Sequence, residues 1–82
     1  MLQAPIGVTY DYLLGYHSGQ RLVKFSTSLS EVEVKAIGGR RWRKANEAIR
    51  VDRTEFTLGV MDGYHDEVAG TAHPLPVESE EY

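Results

Sequence analysis

Apolar residues return along the first part of the chain at intervals close to one helical turn. Val8, Tyr12, Leu13 and Tyr16 predict a helix over about 8–20 with a partial apolar face, after an irregular start marked by Pro5 and Gly7. Gly15 and Gly19 fall inside it, and each weakens it by about 1 kcal/mol relative to alanine. Leu22-Val23-Lys24-Phe25 can end that helix or form a short strand. Ser28 with Glu31 has the spacing of a capping box, and Ser30 with Glu33 offers the same box in a second register. Val32, Lys35, Ala36 and Ile37 follow. Gly38-Gly39 then supplies the left-handed position at which helices end, which predicts a short helix over about 29–37.

Residues 40–51 pull in two directions. Ala45, Glu47 and Ala48 favour helix, whereas Trp42, Ile49 and Val51 favour strand, with Ile49-Arg50-Val51 alternating like a half-buried strand. The reading adopted is a β-hairpin turning at Ala45-Asn46-Glu47-Ala48. It is preferred because Asp52-Arg53-Thr54-Glu55 reads as a fresh helix start, with Asp52 as cap and Glu55 completing its box. From there Phe56, Val60, Gly63, Tyr64 and Val68 form one stripe, predicting a helix over 53–69 that Gly70 ends. The expected fold is α+β: one domain over 1–70 with three helices and a hairpin at 40–51, then a tail at 71–82. A wholly helical three-helix bundle is the alternative.

With 82 residues the core is small, and with no cysteine there are no disulfides, thiolates or cysteine-based zinc sites. Met1-Leu2-Gln3-Ala4-Pro5-Ile6 has neither part of a secretory signal, and no stretch approaches a membrane span. The expectation is a soluble, cytoplasmic protein with no membrane partner.

The net charge of −3 hides a segregation. Arg40, Arg41, Arg43, Lys44, Arg50 and Arg53 make the middle basic. Residues 54–82 carry Glu55, Asp62, Asp66, Glu67, Glu78, Glu80 and Glu81 and no lysine or arginine. Such asymmetry bears on partners rather than on fold.

Three features carry candidate function. Leu14-Gly15-Tyr16-His17-Ser18-Gly19 and Leu58-Gly59-Val60-Met61-Asp62-Gly63 are matched Leu-Gly-x-x-x-Gly segments. Glycines four apart share a helix face and admit another backbone, so Gly15, Gly19, Gly59 and Gly63 either join two helices of one molecule or form a subunit interface in a homo-oligomer. Arg40, Arg41, Trp42, Arg43 and Lys44, reinforced by Arg50 and Arg53, form the second. Guanidinium groups and an indole suit a protein hot spot, or phosphates and a stacked base of a nucleic acid. The segment Leu29 to Ile49 faintly resembles a helix-turn-helix, although its apolar positions do not keep that register. The third is an acidic face at Asp62, Asp66 and Glu67 with His65 beside it. Its spacing is common on solvated helices, and no second cluster completes a metal sphere. No grouping of residues around His17 or His73 in the sequence marks either as a general base. No phosphate loop or nucleophile–histidine–acid grouping is visible, so no enzyme activity, metal or cofactor is expected. Glu78, Glu80 and Glu81 can fold back on the Arg40–Arg53 cluster of the same or a neighbouring chain, or imitate nucleic acid toward a partner.

Ile37-Gly38-Gly39-Arg40-Arg41-Trp42 is similar to a Gly-Gly-basic-basic-Trp segment of small phage and mobile-element proteins, where it belongs to a glycine-bearing hairpin. Gly59-Val60-Met61-Asp62-Gly63-Tyr64-His65-Asp66-Glu67 resembles a stretch of similar short proteins. The resemblance implies a class of small phage accessory proteins, many of which bind and disable a host or defence component. The expected function is thus a non-enzymatic protein-binding module, an inhibitor from a phage or mobile element acting in the host cytoplasm. A small DNA- or RNA-binding regulator using residues 40–53 is the alternative.

Overall fold

The computed structural model describes residues 9–71 and contains three helices: α1 (Tyr10–Leu22), α2 (Glu31–Ala48) and α3 (Arg53–Ala69). Expectations for Pro5, Gly7, Val8, His73 and the acidic tail lie outside the described residues.

Each helix starts on a side chain that satisfies an orphan backbone amide. Thr9 Oγ1 accepts from Tyr12 N at 3.0 Å. At α2 the second of the two possible boxes is used: Ser30 Oγ accepts from Glu33 N, and Glu33 Oε1 accepts from Ser30 N at 2.7 Å. At α3 Asp52 Oδ2 accepts from Glu55 N at 2.9 Å. The Asp52 amide, however, donates to Asp11 Oδ2 on α1, and Glu55 accepts from Thr9 Oγ1. The box expected within α3 is therefore replaced by two cross-links to α1. Gly70, at φ +78°, ends α3 in the left-handed region that favours glycine.

The α+β expectation is overturned. No strand is present among the described residues, and the all-helical bundle that stood as the alternative fits. The hairpin at 40–51 is instead the second half of α2 followed by a short linker. Gly38 and Gly39 do not stop the helix, because Gly38 is buried against Val60 and Thr57 of α3 and lets the two helices meet there. Asn46, expected in a turn, sits in the last turn of α2, where its Oδ1 accepts from Val51 N at 2.9 Å. The alternation at Ile49-Arg50-Val51 marks extended backbone, with Ile49 at φ −140° and ψ 161°, but that backbone joins no ladder. Trp42 pins the linker through an Nε1–H bond to the Val51 carbonyl at 2.7 Å.

α1 and α3 run parallel and pack along their lengths, and α2 returns antiparallel against α3. The two Leu-Gly-x-x-x-Gly segments form the α1–α3 seam. A Cβ on Gly15 or Gly19 would overlap the carbonyl oxygen of Phe56 or Val60, and one on Gly59 or Gly63 would overlap that of Tyr12 or Tyr16. Backbone thus meets backbone, an approach that suits weak Cα–H···O bonds. All four glycines are buried inside one chain, so the subunit-interface reading does not describe where they lie.

The register of the seam is also held from outside. Tyr12 Oη donates to Asp62, and one turn later Tyr16 Oη donates to Asp66 at 2.8 Å. Burial and the Asp62 carboxylate hold the Tyr12 phenol above its usual range. The main core is Leu22, Val34, Val51, Phe56, Val60 and Tyr64. Tyr64 additionally ties down the α1–α2 loop, accepting from Leu29 N and donating to the Ser26 carbonyl.

Candidate binding groove between α1 and α2

α2 packs on α3 but barely touches α1. The gap is an open groove of ≈ 680 Å³ floored by Leu14, Ile37, Ala45 and Phe56, which is within the size range of ligand-binding clefts. Each wall is a stripe at helical spacing. α1 supplies Leu14, Ser18 and Arg21; α2 supplies Ile37, Arg41, Lys44 and Ala48, with Arg40 at the outer edge and Ile49 closing one end. Ile49 is half exposed despite its size, at 52%.

Among the described residues the charges in this groove are unmatched. The Arg41 guanidinium reaches across to α1 and donates to Ser18 Oγ at 3.0 Å and the Ser18 carbonyl at 3.2 Å. Both acceptors are neutral. Burial, and secondly the positive charge of Arg21, lower the affinity of Arg41 for its proton. Among the described residues no carboxylate lies within ion-pair distance of Arg21, Arg40, Arg41 or Lys44. A groove with an apolar floor and uncompensated cations favours an occupant with both apolar and anionic groups.

The seven basic and aromatic residues expected to act together are divided by the helix. Arg41 and Lys44 face the groove, and Arg40 stands on the ridge, lining both the groove and the opposite flank. Arg43 and Arg53 line that flank alone, with Lys35 and Gly39. Arg53 is stacked 5.1 Å over the Trp42 ring, and Arg50 is exposed on the linker. With one edge bonded to Val51 and one face under Arg53, Trp42 holds the α2–α3 corner. Compared with known protein families, curated proteins and solved structures, the chain has no significant match.

On the acidic face, Asp62 and Asp66 are engaged by the two tyrosines, and Glu67 is exposed. His65 Nδ1 stands 3.7 Å from Asp66 Oδ1. Among the described residues no cluster of three or more His, Asp or Glu has metal-binding geometry, and no helix is long and apolar enough to cross a membrane.

The sequence reading missed Leu14, Ser18, Arg21, Ile37, Ala45, Ala48, Ile49 and Phe56 as groove residues. The signal for the α2 wall was present, since Ile37, Arg41, Lys44 and Ala48 are spaced i, i+4, i+7 and i+11. It is readable only if the helix continues through Gly38-Gly39.

Proposed function

We propose that this is a non-enzymatic protein-binding module whose α1–α2 groove takes an acidic amphipathic helix of a partner protein. The observation that carries the reading is the apolar floor of the open groove, bordered by Arg21, Arg40, Arg41 and Lys44 with no carboxylate paired to them among the described residues. A helix laid there would act as a fourth helix, its apolar side chains on Leu14, Ile37 and Phe56 and its carboxylates along the rim. Each leucine-sized side chain it buried would contribute about 1.5–3 kcal/mol, while the rim would mainly set encounter rate and selectivity. A phage or mobile-element inhibitor that seizes an exposed acidic helix of a host or defence protein would need such a groove. Recognition of nucleic acid is less well supported, because Trp42 is occupied and the basic residues are split between two flanks.

The test starts from a partner captured from bacterial lysate, purified and titrated by calorimetry. Arg21→Glu combined with Lys44→Glu, and separately Ala48→Trp, are expected to weaken binding at least tenfold. Arg43→Glu, on the other flank, is expected to leave it nearly unchanged. Wild-type affinity in both groove variants, or loss only in Arg43→Glu, would remove the groove from the function. A gel shift with duplex DNA or RNA that collapses with salt would favour the regulator reading instead.

A further inference from the structure

Resting on the groove reading above, we infer that the chain's own acidic C-terminal segment, residues 71–82, is an intramolecular occupant of the α1–α2 groove and competes there with the partner. The segment offers the two kinds of group that such a groove would take up. Leu75 and Val77 are apolar, and Glu78, Glu80 and Glu81 are carboxylates, with no lysine or arginine among the twelve residues. The groove presents the complement, an apolar floor and four cations with no carboxylate partner among the described residues.

The geometry permits the return. Because α1 and α3 are parallel, the last turn of α3 lies beside the C-terminal part of α1: Tyr16 bonds Asp66, and Gly19 abuts Tyr64. The chain therefore leaves Gly70 at the end of the molecule where Arg21 stands at the mouth of the groove. Twelve residues can span up to roughly 40 Å when extended, against a longest molecular dimension of 35 Å. Attachment also raises the local concentration of the segment to the millimolar range typical of short tethers, so weak contacts suffice to hold it. A partner with more apolar area would displace it, and salt would weaken the tail more than the partner.

The absence of native cysteine makes the test direct on the full chain. A nitroxide is attached at Ser79→Cys, and methyl signals are followed by NMR at low ionic strength. Selective broadening of Leu14, Ile37 and Ile49 is expected, with Leu58 and Met61, which lie outside the groove, spared. Replacing Glu78, Glu80 and Glu81 by Gln in the same labelled chain should abolish the broadening. Equal broadening at all five residues, none at any, or broadening that survives the Gln replacements would overturn the proposal. The same Gln-substituted chain is then titrated with a synthetic 15-residue helix bearing a leucine stripe flanked by glutamates. If that helix shifts the groove methyls while the tail gives no selective broadening, only the autoinhibitory role falls. If the helix causes no shift either, the groove reading falls with it.

Discussion

Placing one methyl group at each of three glycines separates close backbone packing from simple helix propensity. At Gly39 an added Cβ meets only Arg53 Nη2, at 3.7 Å, an ordinary contact. Alanine there should stabilise the interior of α2 by about 0.5–1 kcal/mol. At Gly19 the same methyl would overlap the Val60 carbonyl oxygen and stand 2.8 Å from Tyr64 N; at Gly63 it would overlap the Tyr16 carbonyl oxygen and stand 2.8 Å from its carbon. Backbone cannot swing aside as a side chain does, so α1 and α3 must part by on the order of 1 Å. A gap of that size forfeits a quarter to a half of the dispersion energy along the seam, and overpacking of this kind costs about 1–3 kcal/mol. Parting the helices also strains the Tyr12–Asp62 and Tyr16–Asp66 bonds, each worth about 1 kcal/mol or more. After the propensity gain is subtracted, Gly19→Ala and Gly63→Ala should each lose about 2–3 kcal/mol, from a total of roughly 4–12 for a chain of this size. Thermal unfolding followed by far-UV circular dichroism should show Tm lowered by about 10–20 °C in both and raised by about 2–8 °C in Gly39→Ala. Refutation would be a Tm in Gly19→Ala or Gly63→Ala at or above that of the wild type, since the seam would then have room that the structure denies.

Other outcomes follow from single contacts. Tyr12 holds its proton more tightly when folded, so this stabilisation is complete below the unfolded phenol pKa near 10 and fades as pH rises beyond it. Urea midpoints between pH 9 and 11 should accordingly fall less steeply in Tyr12→Phe than in the wild type, and equal slopes would contradict the Tyr12–Asp62 contact. Trp42→Phe keeps a ring beneath Arg53 but leaves the Val51 carbonyl without its donor. The expected cost is about 1–2 kcal/mol in urea unfolding, and an unchanged midpoint would show that the corner does not depend on that bond. Arg41→Met removes a half-buried charge with only neutral acceptors and a like-charged neighbour, so stability should change by less than about 0.5 kcal/mol while partner affinity drops. A large loss of stability would instead make Arg41 a structural strut between α1 and α2.

Much of the local structure was legible in the sequence. The start of α2 was readable as one of two registers, Ser28 with Glu31 or Ser30 with Glu33, of which the second is used, and α3 in the Asp52 cap, the stripe from Phe56 to Tyr64 and Gly70. These signals act over three or four residues, through bonds that a helix end makes with its own neighbours, so spacing alone reveals them. The length of α2 and the groove were not legible. Glycine at 38 and 39 serves equally to end a helix or to admit a neighbour. Only the presence of Val60 and Thr57 against Gly38 decides between the two. Once the helix continues, Arg41 and Lys44 turn toward α1 while Arg43 turns away, and a run of adjacent cations is divided between two surfaces that meet at Arg40. Arg21 joins Arg41 across a gap that exists because the glycine seam draws α1 against α3 and leaves α2 apart from α1. The sequence by itself determined where helices can begin and which faces are apolar. The tertiary structure decided which face each glycine opens, and hence which charges share a groove, because close approach is a property of two elements together.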